Sequence, residues 1–242
     1  IDGAENWVKF KGGLPTISFR DLAIQKRESD LVAASFGRGF FVLDDYSFLR
    51  ELSEQNIEKE AQVFIPREGL WYFQNHPIGG GKKGSQGASL YSAENPDFGV
   101  TLTYYIKEEV KSKKALRQEK EKELRKKKQD LMVPDWDELE QEMSEIKTRF
   151  WMSIINHKGE ILRKLPLKNK KGLQRTTWDL RTESIRPILT VDKWTENSSG
   201  QMVAPGNYSA VLLKEDQGKL SILTDTIHFI VKKLWEPTLP SA

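Results

Sequence analysis

Leu31 to Asp45 reads LVAASFGRGFFVLDD, two apolar runs around one turn. Leu31 to Ser35 is a run of small apolar residues suited to a buried strand. Gly37 and Gly39 bracket Arg38, which predicts a tight turn or bulge, because glycine accepts the positive φ that such turns need. Phe40 to Leu43 is the next strand, stopped by Asp44 and Asp45. Upstream, Ile17 to Ile24 alternates with a phase slip at Asp21, and Trp7 to Phe10 is a short strand ended by Gly12 and Gly13. Residues 1–52 therefore predict three or four strands in one antiparallel sheet. Alone, such a sheet leaves bare edges and a wet apolar face. It is expected to pack on the rest of this chain or on a missing neighbour.

Bulk composition bounds the rest. Hydrophobic residues make up 38% and charged residues 30% of the 242, and seven Trp with eleven Phe can fill a core, so the chain reads as globular. A net charge of +3 argues against a dedicated nucleic-acid binder. The absence of Cys excludes disulfides, thiolate metal sites and a Cys nucleophile. No apolar run approaches the ~20 residues of a membrane span. Ile1-Asp2-Gly3 opens without a basic or apolar leader, so the chain reads as the C-terminal part of a longer precursor.

Residues 53–97 read as a linker. Ser47 to Lys59 can hold a short helix, and Ala61 to Ile65 is a brief strand ended by Pro66. Ile78 to Gly87 is a Gly- and Lys-rich loop. Its GGGKKG lacks the spacing and the strand–loop–helix setting of a phosphate loop. A second domain runs over 98–242. Val100 to Ile106 alternates apolar and hydroxyl residues, and Phe150 to Ile155, Glu160 to Leu165, Leu173 to Leu180 and Tyr208 to Leu213 follow as strands. Turns are read at Asn156 to Gly159, at Pro205-Gly206 in type II order, and at Asp216 to Lys219. Ile227, Phe229 and Val231 line one face of the last strand. Strands and turns at this spacing indicate an all-β sandwich.

The sandwich carries an insertion at about 107–149 that reads as a helical hairpin broken by Pro134. Asp135 is an N-cap, with Glu138 completing a capping box. Lys107 to Asp130 has a net charge of +5 and Asp135 to Lys147 a net charge of −5, so an antiparallel pair with complementary faces is expected. Leu139, Met143 and Ile146 give the second helix a narrow apolar stripe. The hairpin is either a solvated protrusion or an arm that binds a protein partner. Its acidic half neutralises Lys126 to Lys128, and no aromatics interleave them, so nucleic acid is not expected.

No catalytic constellation is legible. His76, His157 and His228 lack a second His or a carboxylate at ligand spacing, so no metal is expected, and nothing calls for a cofactor. Asp44 and Asp45 are adjacent and point to opposite faces, so they cannot flank one bond; they read as a strand-end cap bonded to turn amides. Trp71 to Phe73 is an aromatic cluster able to pack on the sandwich or to stack on a sugar.

Several stretches, in the right order, resemble the secreted bacterial proteins with sortilin-like, BNR-repeat β-propellers that are often labelled glycosyl hydrolases. Asp2 to Trp7 looks like an Asp-box, with Asp2 and Trp7 in its key places. Leu31 to Asp45 resembles the closing-blade signature of that family through Gly37, Arg38, Gly39, Asp44 and Asp45. Ala93 to Gly99 and Thr103 to Lys107 resemble its N-P-P-x-G-A and T-Y-Y-L-K segments. Arg175 to Arg181 resembles its R-x-x-W-D-L-R through Trp178, Asp179 and Arg181, and Pro205 and Gly206 stand in its P-G-x-Y strand start.

The resemblance implies that residues 1–52 are the last blade of a propeller whose other blades lie outside this chain. It implies an immunoglobulin-like β-sandwich, similar to those of flagellar hook-cap proteins, from residue 98. It implies a secreted, periplasmic or cell-surface location, and as partners the remaining blades or another polypeptide. It carries over no catalytic residue, and Arg38 reads as a bracing residue. The expected role is a non-catalytic structural and interaction module. The alternative is an accessory part of a glycoside hydrolase whose active site lies in the absent blades.

Overall fold

Turn chemistry and apolar alternation divide the chain into its elements. The computed structural model describes residues 15–74, 96–130, 133–184 and 200–235. The described residues are mainly β, in several sheets of which one curls into a half-barrel. It divides into two compact units, Ile1–Arg50 and Glu51–Ala242.

The first unit holds β1 (Phe19–Gln25), β2 (Asp30–Ser35) and β3 (Phe40–Leu43), an antiparallel sheet in that order. The phase slip at Asp21 is a register shift between Phe19 and Asp21. Gly37 and Gly39 stand at φ +77° and +76°, and a side chain at either would meet nothing within 4 Å, so φ alone selects glycine. Ser35 closes the turn, its N–H and its hydroxyl both donating to the Gly39 carbonyl, at 3.0 and 2.7 Å. Asp30–Ser35 is a strand as expected, but half-buried rather than buried. The register explains this. It puts Leu22, Ile24, Leu31, Phe41 and Leu43 on one face and Ala23, Val32, Ala34, Phe40 and Val42 on the other. Both faces are apolar, and Leu22, Phe40 and Val42 are 63%, 75% and 53% exposed.

A single turn, α1 (Phe48–Glu51), leads into the second unit, which begins with α2 (Glu54–Glu58), capped by the Ser53 hydroxyl on the Asn56 amide. Its strands are β4 (Ala61–Val63), β5 (Gly69–Trp71), β6 (Val100–Ile106), β7 (Arg149–Asn156), β8 (Ile161–Leu167), β9 (Gly172–Trp178), β10 (Gly206–Asp216), β11 (Lys219–Ile222) and β12 (Ile227–Lys233). Two helices, α3 (Lys113–Lys126) and α4 (Trp136–Met143), lie between β6 and β7. One sheet runs β5-β12-β10-β7-β8 with β11 also on β10; the other runs β4-β6-β9. Leu102, Tyr104 and Ile106 of one sheet share a core with Met152, Ile154, Leu212 and Phe229 of the other. The two sheets are sandwich-like.

The stretch that reads as a linker supplies two of these strands. β4 pairs antiparallel with β6, and β5 pairs parallel with β12. β4 lies within the strand expected at Ala61 to Ile65, whereas β5, three residues long, is too short to show a period, so only its pairing reveals it. Two turns also differ from expectation. Pro205-Gly206 is not a type II turn: Gly206 sits at φ +159° and already pairs with Val231. Asp135 caps α4 through the Trp136 amide at 2.7 Å, and the capping-box bond from Glu138 is not made among the described residues. The β10–β11 hairpin turns on Gln217 and Gly218 at φ +48° and +78°, the pair of positive φ values of a type I′ turn. Asn156 organises the β7–β8 turn, its side-chain oxygen accepting from the Lys158 and Glu160 amides at 2.9 Å each.

Candidate functional site

The residues from Trp178 to Arg181 form the most tightly built polar feature of the second unit. Trp178 ends β9 fully buried, and its indole N–H donates to the Arg181 carbonyl at 2.9 Å. Leu180 turns the chain at φ +57°, and its carbonyl accepts from the Val203 amide at 2.8 Å. Asp179 Oδ1 accepts from the Arg181 amide at 3.2 Å and from Arg163 Nη1 at 2.6 Å. Arg181 Nη1 donates to the Gly200 carbonyl at 3.2 Å. Gly99 makes the fit possible: a Cβ there would lie 1.8 Å from the Trp178 carbonyl oxygen. Beside this turn opens a cleft of about 410 Å³ lined by Gln74, Asp97, Phe98, Thr177, Asp179 and Arg181.

Strand β10 carries the second conspicuous contact. Tyr208 is buried against Trp178 and Phe229, and its hydroxyl donates to the Ala204 carbonyl at 2.5 Å, tying the Pro205-Gly206 corner to the strand. Burial pushes the Tyr208 hydroxyl above its ordinary value, and Tyr104 likewise, although the Lys168 amide partly offsets the latter.

The helical hairpin is held by charge. Arg117 reaches from α3 to Glu142 of α4 with two bonds, Nε to Oε1 at 2.6 Å and Nη2 to Oε2 at 3.0 Å, and also pairs with Glu121. These bonds hold the Glu142 carboxyl below its usual range and raise the Arg117 guanidinium. Its root is fixed by Asn169, which accepts from the Val110 amide at 3.0 Å and donates to the Val110 carbonyl at 2.7 Å. Neither helix has a buried residue. Glu138, Gln141 and Glu142 line the groove toward α3, while Trp136 and Met143 are 83% and 88% exposed. Of the apolar stripe read from the sequence, Leu139 is half-buried, Met143 stays in solvent, and Ile146 is exposed beyond the end of the helix.

No protein-family model and no curated protein matches this chain. Its candidate residues therefore stand on their geometry.

Asp2, Trp7, the loop over 78–87, Asn95 and His76 lie outside the described residues. Arg38 is exposed at the tip of the β2–β3 turn and makes no hydrogen bond or ion pair among the described residues, so no bracing by it is seen among them. Asp44 is exposed. Asp45 is buried at φ +47°, its Oδ1 accepting from the Ser47 amide at 3.2 Å while its own amide donates to Asp30 Oδ1 at 2.9 Å. Trp178, Asp179 and Arg181 come together in one turn, and Tyr208, read from the sequence only as the start of a strand, joins Pro205 and Gly206 to it. The signal lay in P-G-x-Y, which sets a tyrosine two residues after the corner. Trp71 packs at the core edge and donates to the Val203 carbonyl at 2.8 Å, Tyr72 meets Phe98 edge-on at 5.0 Å, and Phe73 is left 80% exposed. His157 lies exposed in its turn, and His228 Nδ1 lies 2.8 Å from the Ser209 hydroxyl. Among the described residues no three His, Cys, Asp or Glu cluster as metal ligands, and no helix is long and apolar enough to cross a membrane.

Proposed function

We propose that this chain is a non-catalytic structural and interaction module, the C-terminal part of an exported BNR-type propeller protein, with residues 1–50 serving as its last blade. The observation that carries this reading is the β1–β2–β3 sheet, apolar on both faces and exposed on both. A sheet that lines a sandwich needs one apolar face; a sheet stacked between two others needs two. A propeller blade is such a sheet. For the second unit, an immunoglobulin-like domain similar to the hook-cap type is supported by Tyr208, whose hydroxyl bonds back to Ala204, and by the buried Trp178 beside it. The helical hairpin serves as the arm offered to a protein or a surface.

The test is made on the precursor. Repeated Asp-boxes before Ile1, and amide exchange over residues 19–43 slower in the longer protein than in this chain, are the expected results. A sheet equally protected in both would overturn the blade reading. Glycosidase activity of the precursor that is lost when this chain is deleted would favour an accessory role in hydrolysis instead.

A further inference from the structure

We propose that the cleft beside the Trp178–Arg181 turn binds a neutral sugar unit of a glycan. This stands apart from the blade reading, because every residue of the cleft belongs to the second unit. Its volume of about 410 Å³ lies within the ~300–1,000 Å³ of small-molecule sites.

The polar groups of the cleft are positioned but not used up. Asp179 is fixed through Oδ1 by Arg163 and by the Arg181 amide, which leaves Oδ2 without a protein donor among the described residues. Arg181 is fixed through Nη1 on the Gly200 carbonyl, and the rest of its guanidinium bonds to no described residue. Gln74 and Asp97 make no hydrogen bond among the described residues. Free acceptors therefore stand beside free donors. A hydroxyl group both donates and accepts, so a pair of neighbouring hydroxyls satisfies carboxylate and guanidinium together.

Charge separates the ligand classes. Asp179 is paired with Arg163, and Asp97, which bonds to no described residue, disfavours a phosphate or an acidic sugar. Arg181 repels a metal ion, and the described residues offer no three-ligand cluster for one. A neutral polyol offers hydroxyl donors to the carboxylates and hydroxyl acceptors to the guanidinium. Apolar surface completes the match. Phe98 lines the cleft, held edge-on by Tyr72 at 5.0 Å. Such rings pack against the C–H face of a pyranose while the polar groups take its hydroxyls.

The full 242-residue chain is screened on an array of neutral and acidic oligosaccharides, and the strongest neutral probe among cello-, malto-, chito- and manno-oligosaccharides is titrated by calorimetry. Asp97→Ala and Gln74→Ala remove side chains that bond to no described residue, and unchanged thermal unfolding checks that both variants fold. Each is expected to weaken binding about tenfold, the loss of one hydrogen bond to a charged or strongly polar partner. The proposal fails if no neutral probe binds at millimolar concentration. It also fails if acidic sugars or Ca²⁺ bind as well as the neutral probe does. Binding that survives both substitutions but is lost in Phe73→Ala would place the sugar on the exposed ring outside the cleft, and would overturn it too.

Discussion

The β1–β3 sheet and strand β6 draw on similar apolar residues in opposite patterns. In β6, Val100, Leu102, Tyr104 and Ile106 are at most 1% exposed, and Thr101 and Tyr105 face the other way. In β3, Phe40 and Phe41 follow one another, and Phe40 remains 75% exposed. One pattern matches a sheet that covers one side of a core. The other asks for cover on both sides, which three strands cannot give themselves. Burial is worth roughly 25 cal/mol per Å² of apolar surface, so the second unit gains from its packed sheets what the described strands of the first leave exposed. Apolar content alone is thus a poor guide to where stability resides; the alternation decides it.

The largest effect expected from this contrast is at Trp178. Trp178→Ala should cost the second unit about 3–5 kcal/mol, because it empties a fully buried site and orphans the Arg181 carbonyl. Urea unfolding followed by hydrogen exchange would read it, with amide exchange in β1–β3 unchanged. An equal effect on both units would break the comparison. Gly99→Ala comes next. The added Cβ meets the Trp178 carbonyl oxygen at a residue held at φ +122°, and such backbone strain costs about 1–3 kcal/mol even before the clash. A melting temperature equal to that of the parent chain would show that the β9 turn yields more easily than its packing implies.

Smaller still is the response of the hairpin to acid. Glu142 is held below the ordinary glutamate value of 4.5, so its pairing with Arg117 stabilises the folded hairpin at neutral pH. That contribution falls away as pH drops from the ordinary value through the lowered one. Helical circular dichroism should decline over that interval in the parent and not in Glu142→Gln; identical titrations would assign the loss to other carboxylates. The smallest effect is expected at the exposed sheet. Leu22→Ser and Phe40→Ser should each change the stability of this chain by no more than about 0.5 kcal/mol while lowering its tendency to aggregate. A loss as large as that of Trp178→Ala would mean that the sheet is already covered.

Much of the fold was legible in the residues. The positive-φ pairs at Gly37 and Gly39 and at Gln217 and Gly218, the slip at Asp21 and the alternation of Val100 to Ile106 each follow from neighbours in sequence. Strand β4 was legible within Ala61 to Ile65 but its pairing was not, and β5 was not legible at all, since three residues have no period and the partners lie 41–45 and 162 positions away, at Tyr104 to Ile106 and at Val231 to Lys233. The candidate cleft was half legible. Trp178, Asp179 and Arg181 stood out as a motif and Asp97 and Phe98 lay in another resembling segment, whereas Gln74 carried no signal, and only strand pairing brought the three groups alongside.

The sequence by itself determined where the chain turns, which faces are apolar and how charge divides across the helical hairpin. These depend on φ preferences, on a period of two and on side-chain type, all of which act over a few residues. Only the tertiary structure decided that Met143 of α4 stays in solvent, and that among the described residues Asp135 caps without Glu138 and Asp179 keeps one carboxylate oxygen free. Those outcomes depend on which distant groups arrive first at a shared donor or acceptor, and no local pattern records that.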